Sequence, residues 1–110
     1  MYIYNVTVNI EADVHDDWLK WMKEVHIPAV LSTGLFLDNL LCQVMVEEEQ
    51  GITYSIQYRV RNLETLDLYR DVYAPKLQAE HVAKFRDKFV AFRTILRIDH
   101  EAEAAGGEWF

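Results

Sequence analysis

The chain contains few of the residues that build disulfide scaffolds, flexible linkers or nucleic-acid sites. Its 110 residues include one cysteine, two prolines and four glycines, and 11 Lys and Arg stand against 18 Asp and Glu. A single cysteine cannot form an internal disulfide, and no Cys/His spacing suggests a zinc site. The net charge of −7 argues against nucleic acid as a partner, because phosphate binding depends on lysine and arginine.

The sequence also lacks a long apolar run and a leader-like beginning. No stretch approaches the ~18 apolar residues needed to cross a bilayer, and YIYNVTVNIE has neither a basic region nor a cleavage site. We therefore expect a cytoplasmic protein with no membrane partner. The 51% hydrophobic and 13% aromatic fractions that are present exclude a disordered chain and suit one folded domain.

Four alternating segments and two helical segments follow one another in the order βαββαβ. Apolar residues alternate over 2–11, 35–48, 52–61 and 89–99, and they recur at spacings of three and four over 13–33 and after Asn62. This order predicts an α+β, ferredoxin-like fold with two helices on one face of a four-stranded antiparallel sheet. We assign 1–99 to this single domain, 47–49 to a solvated turn and 100–110 to a flexible acidic tail.

Each predicted helix has an apolar stripe and contains a proline. Asp13 and Asn62 are the expected N-terminal caps. The predicted stripes are Val14, Trp18, Met22, Val25 and Ala29 in the first helix, and Leu66, Tyr69, Tyr73, Leu77, His81, Val82 and Phe85 in the second. Because proline cannot donate a backbone hydrogen bond, Pro28 and Pro75 should bend or restart their helices.

The alternation assigns a mixture of apolar and amide side chains to the sheet face that the helices leave open. The predicted members include Ile3, Asn5, Leu41, Gln43, Met45, Gln57, Ala91, Arg93 and Ile95. Such a surface is too apolar to be fully exposed to solvent, so we predict a homodimer in which the two sheets pack face to face. Its expected interface comprises Ile3, Asn5, Met45, Gln57, Arg93 and Ile95. Arg93 would bind a carboxylate there or, as we prefer, join an ion-pair network with Asp or Glu.

Several strings in the chain carry a resemblance to a known family. YNVTV, HIP with TGLF, TYSIQY, YAPKL and KFVAFRTIL together resemble a family of small bacterial proteins, a domain of unknown function. That family is similar in plan to the dimeric α+β barrel superfamily, which includes antibiotic-biosynthesis monooxygenases, haem-degrading monooxygenases and muconolactone-isomerase-like proteins. The resemblance covers nearly the whole chain except the tail, and it implies a fold rather than a reaction.

The resemblance also implies a ligand site between helices and sheet. His81 is similar in position to the haem-ligating histidine of the haem-degrading members, which also use a first-strand asparagine and a tryptophan near the second helix. Asn5 resembles that asparagine but points away from the helices by alternation, and we expect no tryptophan near the second helix. We therefore expect no cofactor, and the sequence shows no metal cluster.

Two histidines and a set of aromatic residues are the candidate site residues. His81 lies on the apolar face, whereas His26 lies about 80° from the first stripe, at the cleft rim beside Pro28. A core-edge imidazole for His81 and a boundary position for His26 are the simpler interpretations. Catalytic candidates are His81, His26 and Tyr69, and the candidate ligand-binding residues are Tyr4, Trp18, Met22, Tyr54, Tyr58, Tyr73 and Phe85.

Three hypotheses about function follow from these residues. The first is a homodimer that binds a small apolar or aromatic ligand in the helix-sheet cleft. The second is a cofactor-independent enzyme of the monooxygenase or isomerase kind, with a histidine that transfers protons and a tyrosine that donates a hydrogen bond. The third is a structural dimerisation module without a ligand, which a filled core with no cavity would favour. We rank the binding dimer first.

Overall fold

A computed structural model of the chain describes residues 1–47 and 50–105. Within these ranges, no helix is long and apolar enough to cross a membrane. Residues 48–49 of the expected acidic turn and 106–110 of the expected tail lie outside the described residues. The assignment of 100–110 to a flexible tail therefore stays a prediction.

The strands form one antiparallel sheet. They are β1 (Tyr2–Ile10), β2 (Asp38–Gln43), β3 (Ile52–Val60) and β4 (Phe89–Arg97), in the spatial order β2-β3-β1-β4. The two central strands, β1 and β3, are the first strands of the two βα halves of the chain. This order and pairing confirm the predicted ferredoxin-like sheet.

Two helical arms pack on one face of this sheet. The first arm comprises a 3₁₀ turn (Ala12–Val14), α1 (His15–Trp21), a π-helical segment (Met22–His26) and α2 (Ile27–Leu31). The second arm comprises α3 (Leu63–Leu68), a π-helical segment (Tyr69–Tyr73) and α4 (Ala74–Lys84). Buried residues of both arms and of the sheet form one core, so the predicted α+β class is confirmed.

Each π segment ends two residues before a proline. Pro28 and Pro75 are second in α2 and α4, and a proline ring in a regular α-helix clashes with the carbonyl four residues earlier. Wider turns precede them: the N–H of Ile27 donates to the carbonyl of Met22, and that of Ala74 donates to the carbonyl of Tyr69. Each arm thus accommodates its proline with one extra residue in a turn.

The extra residue rotates everything that follows it in the arm. The first arm buries Trp18, Met22, Ile27 and Val30, with a spacing of five across the π segment, whereas Val25 of the predicted stripe is 50% exposed. The second arm likewise buries Leu66, Tyr69, Ala74, His81 and Phe85, and it exposes Tyr73 and Val82. The predicted stripes are therefore wrong at Val25 and Tyr73, which lie inside the π segments, and at Val82, because the prediction assumed an unbroken 3.6-residue period.

The two expected caps have different outcomes. Asn62 caps α3, since its side-chain oxygen accepts from the N–H of Thr65 at 2.8 Å. Asp13 lies inside the 3₁₀ turn, and its Oδ2 accepts from Lys88 Nζ at 2.9 Å instead. The cap at Asn62 is confirmed, and the cap at Asp13 is wrong.

The predicted faces of the two outer strands are wrong. On β4, Arg93 is paired with Val6 and Ile95 with Tyr4, so both lie on the helix-facing side, as does Ala91, which packs against the core. On β2, Leu41 and Gln43 pair with Ile56 and Tyr54 of that same side. Met45 lies beyond β2. Both strands carry apolar residues at consecutive positions, so alternation alone did not fix which set faces the helices.

The register gives the open face a different composition. Its central residues are Ile3, Asn5, Thr7, Ser55 and Gln57, as predicted for β1 and β3. Its margins are Leu40 from β2 and Val90, Phe92 and Leu96 from β4, which are exposed in the single chain. We call these nine residues the open face.

Candidate functional site

His81 is buried in a cage of aromatic rings contributed by both arms and β4. Its Nε2 accepts a hydrogen bond of 3.0 Å from the indole N–H of Trp18, which is itself fully buried. Its ring stacks on Phe89 at 3.9 Å between centroids and on Trp21 at 5.5 Å. Because the indole can only donate, His81 Nε2 carries no proton and the ring is held in the neutral Nδ1–H form.

Two tryptophans therefore lie beside the second arm in space although they belong to the first arm in sequence. The expectation that no tryptophan lies near the second helix is wrong, since Trp18 and Trp21 both contact His81. Local sequence patterns could not show this contact, because Trp18 and His81 are 63 residues apart in the chain. An aromatic stripe on each of two helices that cover the same sheet face is the signal that could have found it.

His26 ends the first π segment and turns inward. Its ring stacks on Trp21 at 5.0 Å and lies 5.6 Å from the ring of His81. Its Nδ1 is buried and has no hydrogen-bond partner among the described residues. His26 is half-buried, and its contacts with Trp21 and His81 place it in the cleft whose rim the sequence assigned to it.

A cavity of about 30 Å³ lies where the two π segments face the sheet. The first arm contributes Met22 and His26, the second contributes Tyr69, Gln78 and His81, and Arg93 reaches it from β4. Tyr4 and Tyr58 line it from the sheet. We call this space the cleft cavity. A cavity needs roughly 10–15 Å³ to hold one water molecule, so this cavity has room for about two atoms the size of a water oxygen.

Burial controls the charge state of both histidines. Burial lowers the pKa of His26 to about 4, against an opposing effect of Glu80 and with a smaller contribution from Arg93. Burial likewise lowers the pKa of His81 to about 4, and the charges of His26 and Arg93 add to that shift. Both imidazoles are therefore neutral at pH 7, where they act as hydrogen-bonding groups rather than cations.

The tyrosines of the cleft cavity form an aromatic wall. Tyr4 and Tyr69 meet edge to face at 5.8 Å, and Phe36 packs against Tyr69 at 4.8 Å and Tyr58 at 5.1 Å. Burial raises the pKa of Tyr58 and of Tyr69, so both phenols stay protonated at neutral pH. Protonated phenols can donate hydrogen bonds to a ligand oxygen.

The candidate residues separate into two groups. Tyr4, Met22, Tyr58, Tyr69, His26 and His81 line the cleft cavity. The other four lie elsewhere: Trp18 donates to His81, Tyr54 bonds to His15, Tyr73 is 38% exposed and Phe85 packs edge to face on Trp21. Arg93 and Gln78 are cavity residues that sequence reasoning missed. Arg93 was assigned to the wrong face of the sheet. Gln78 was not a candidate, because a single amide in a predicted helix carries no signal of a site.

His15 forms a second polar constellation that sequence reasoning missed. Its Nε2 lies 2.6 Å from the Tyr54 hydroxyl, and its Nδ1 lies 3.0 Å from Asp16 Oδ1. Burial raises the pKa of Tyr54, with a further contribution from Asp16, so the phenol donates and the imidazole accepts. The Asp16 side chain is fully exposed, and the triad links the start of α1 to β3.

His, Cys, Asp and Glu are the side chains of residues 1–47 and 50–105 that could ligate a metal ion. Within those ranges no group of three or more His, Cys, Asp or Glu residues could hold a metal ion. Cys42 is a free, exposed thiol on β2. The polar chemistry of the cleft cavity therefore comes from imidazole, phenol, amide and guanidinium groups.

The fold places the chain among ferredoxin-like α+β proteins, and solved structures share it. HapK from Hahella chejuensis is similar with a TM-score of 0.72 at 11% identity, over 96% of this chain and 100% of that one. A dimeric ferredoxin-like protein from an uncultured marine organism is similar with a TM-score of 0.70 at 13% identity, over 94% and 98%. At these identities the likeness shows the fold alone.

The chain belongs to the family described as domain of unknown function DUF4286, whose model matches residues 1–98. This confirms the resemblance to an uncharacterised family. No curated protein matches the sequence.

A third similar structure raises the question of haem. It is a mutant of MhuD with two manganese protoporphyrin IX molecules bound per active site, similar with a TM-score of 0.66 at 11% identity, over 94% of this chain and 100% of that one. In the present chain, His81 Nε2 accepts from Trp18 and its ring is stacked on Phe89. A cavity of about 30 Å³ is far too small for a porphyrin. The residues around His81 therefore do not fit a haem.

Proposed function

We propose that the protein is a homodimer that binds a small aromatic ligand through the cleft cavity of each subunit. The observation that carries this proposal is the buried Nδ1 of His26, which has no hydrogen-bond partner among the described residues and belongs to a residue that lines the cavity with three tyrosines. An unpaired buried polar atom costs roughly 1–3 kcal/mol, and such atoms in native proteins call for an explanation. A ligand atom that pairs with Nδ1 provides one.

The size of the cleft cavity limits how the ligand enters. Its volume is about 30 Å³, whereas a cavity that accepts benzene measures roughly 150 Å³. A ring cannot enter fully in this conformation. We therefore place the polar end of the ligand inside the cavity and its apolar ring at the mouth, against the arms.

The neutral side chains of the cavity favour hydrogen bonding over proton transfer. His26 and His81 have pKa values of about 4, so neither is poised near pH 7 as a general acid or base. His81 Nε2 is also occupied by the Trp18 N–H. These features support the binding role ahead of the enzyme hypothesis.

The open face supports the dimer. Leu40, Val90 and Phe92 are 61%, 70% and 63% exposed at its margins. Monomeric proteins seldom leave several large apolar side chains exposed on one sheet face. A second copy packed sheet on sheet would cover them, and the similar marine protein described as dimeric and ferredoxin-like supports that arrangement.

Polar residues at the centre of the open face already have partners within one subunit. Ser55 Oγ donates to Asn5 Oδ1 at 2.6 Å, Asn5 Nδ2 donates to Thr7 Oγ1 at 3.1 Å, and Gln57 Nε2 donates to Ser55 Oγ at 3.3 Å. Groups that are hydrogen-bonded before association lose less on burial. A partner sheet could therefore cover this centre without supplying every hydrogen bond.

Binding is tested by following backbone amide NMR signals while the neutral aromatic compound benzamide is added. We expect the largest shifts around His26, Tyr69 and Arg93. His26→Leu should weaken binding at least fivefold, whereas the matched control His100→Leu, at an exposed position, should not change it. Shifts confined to the outer helix surfaces, or equal affinities for both variants, would overturn the cleft site.

The dimer is tested by sedimentation equilibrium at micromolar concentration. We expect a species of twice the 13.0 kDa chain mass. A stable monomer at that concentration would overturn the sheet-on-sheet pairing while leaving the cleft site open to its own test.

A structural dimerisation module is the second candidate, because so small a cavity is what a nearly filled core would leave. The two candidates differ in what happens to the unpaired imidazole. A module without a ligand predicts that His26→Leu leaves the dimer dissociation constant unchanged and that aromatic compounds produce no shifts in the cleft. Binding lost in that variant supports the first candidate instead.

A cytoplasmic location is the last part of the proposal. Its support is the exposed free thiol of Cys42, which suits a reducing compartment. Fractionation of the producing cells tests it, and recovery in an extracytoplasmic fraction would contradict it.

A further inference from the structure

Arg93 is the cationic side chain of the cleft cavity. It lies on the helix-facing side of β4, opposite Val6, and it lines the cavity with His26 and His81. Among the described residues, the ion pairs of arginine and lysine with carboxylates involve Arg59, Arg70, Lys88 and Arg97, and none involves Arg93. Arg93 is exposed to solvent in the single chain, and the carboxylate that acts on the neighbouring His26 is that of Glu80.

The charge of Arg93 reaches the polar groups around the cavity. It adds to the lowering of the pKa of His26 and of His81 that burial causes, and it opposes the rise that burial causes at Tyr69. Since both imidazoles are neutral at pH 7, they supply hydrogen bonds but no charge. A charged group of a ligand in this cavity would therefore be held by Arg93.

Volume and hydrogen bonding point to the same kind of group. The cavity of about 30 Å³ suits two atoms the size of water oxygen, which matches the two oxygens of a carboxylate. One oxygen could accept from His26 Nδ1–H, the atom that lacks a partner, and the guanidinium geometry suits a carboxylate. Protonated Tyr58 and Tyr69 offer further donors.

From this geometry we infer that the ligand is an aromatic carboxylic acid in its anionic form. Its carboxylate occupies the cleft cavity between Arg93 and His26, and its ring lies at the mouth. The inference rests on the proposed cleft-binding function and adds the charge and the head group of the ligand. The net charge of −7 opposes the approach of such an anion at long range, and Arg93 supplies the positive charge at the cavity itself.

The test compares benzoate with benzamide, two compounds of the same shape that differ in charge. Backbone and histidine side-chain NMR signals are followed as each compound is added to the full chain at pH 7. We expect benzoate to bind at least tenfold more tightly than benzamide. We also expect bound benzoate to raise the pKa of His26, because an anion beside the ring favours its protonated form.

Arg93→Gln separates charge from packing. We expect it to weaken benzoate binding at least tenfold and to leave benzamide binding within twofold. The matched control is Arg97→Gln on the same strand, whose partner is Asp99 at 2.7 Å, and it should change neither affinity. Thermal unfolding of each variant shows whether it is folded. If Arg93→Gln is unfolded, Arg93→Lys is used to change the side chain while keeping its positive charge.

The outcomes distinguish the two levels of the proposal. Equal affinities for benzoate and benzamide in the unsubstituted chain, or a benzoate affinity unchanged in Arg93→Gln, would overturn the carboxylate while the cleft site stands. If neither compound shifts signals from the cleft, the proposed binding function fails and the carboxylate inference fails with it.

Discussion

The two faces of the sheet are built from different chemistry. The covered face meets the helical arms through aromatic and aliphatic side chains, and its polar atoms are few and specifically placed, such as His81 Nε2 against the Trp18 N–H. The open face has a hydrogen-bonded centre around Asn5 and Ser55 and apolar margins such as Phe92. One face can thus complete its core within a single chain, whereas the other becomes dry only if a second chain covers it.

This difference separates stability from association. Residues of the covered face determine the free energy of unfolding, because their burial is complete in one subunit. In the proposed dimer, residues of the open face would determine the dissociation constant, because their burial depends on a partner. Four predictions test that separation, and all stability measurements should use one protein concentration, since dimerisation itself adds apparent stability.

The largest effect is expected for Trp18→Ala in α1, which packs on the covered face of the sheet. It removes a fully buried ring and leaves the buried Nε2 of His81 without its donor. We expect a loss of about 3–5 kcal/mol in the free energy of unfolding, measured by urea denaturation. The control Tyr73→Ala removes a more exposed aromatic side chain of the other arm and should cost less than about 1 kcal/mol. Similar losses in both variants would contradict the aromatic cage.

Acid should destabilise the packing of the helical arms on the sheet through His26 and His81, one in each arm. Their folded pKa values of about 4 lie below the ordinary histidine pKa of 6.5, so the unfolded chain binds more protons between those limits. The stabilising contribution is fully present above pH 6.5 and is lost as the pH falls toward 4. The loss is about 3 kcal/mol at most for each histidine.

This pH dependence is measured as the free energy of unfolding in urea from pH 4.5 to 7.5. We expect His26→Leu to reduce the slope by roughly half over the acidic part of that range. His100→Leu should leave the slope unchanged, because His100 is exposed in the folded chain. A slope that does not respond to His26→Leu would show that His26 is charged in the folded state.

On the open face, Phe92→Glu should disrupt association rather than folding. It places a carboxylate on the apolar margin, and we expect the dimer dissociation constant to rise at least tenfold, which is about 1.4 kcal/mol. Sedimentation equilibrium measures the change. Val72→Glu makes the same kind of substitution at another exposed position, in the second π segment, and should not alter association. Equal effects from the two variants would remove the open face from the interface.

The smallest effect, with the opposite sign, is expected for His26→Leu at pH 7. It removes the unpaired buried Nδ1 while keeping an apolar side chain at the cleft, so we expect a gain of up to about 1 kcal/mol. Thermal unfolding measures it, and His26→Asn, which retains a polar group, should show no gain. A loss above about 1 kcal/mol in the leucine variant would mean that Nδ1 has a stabilising partner.

The order of elements was predictable because it depends on local patterns. Alternation in β1 and β3 and the cap at Asn62 gave elements whose existence and faces agree with the structure. The prediction failed at the outer strands. On β4, Phe89, Val90, Ala91 and Phe92 are consecutive apolar residues, so both faces are apolar and only pairing with β1 decides which one meets the arms.

The candidate site was predicted in part for a similar reason. His81, Tyr4, Tyr58 and Tyr69 were assigned to the helix-sheet side, and the structure brings them to one cavity. His26 was assigned to the cleft rim, whereas Arg93 was assigned to the opposite face of the sheet. A shift of one position along β4 moves Arg93 to the helix-facing side.

The sequence by itself determined the βαββαβ order, the ferredoxin-like class and the presence of two prolines that a regular helix could not accept. Only the tertiary structure decided that these prolines are accommodated by π segments, that Trp18 pairs with His81, and that His26 and Arg93 share a cavity. The physical reason is that local patterns record the burial of neighbouring residues along one element. The rotation of an arm about its axis, and the choice of which residues of an outer strand face the arms, depend instead on the rest of the chain. The packing that buries the most apolar surface decides both.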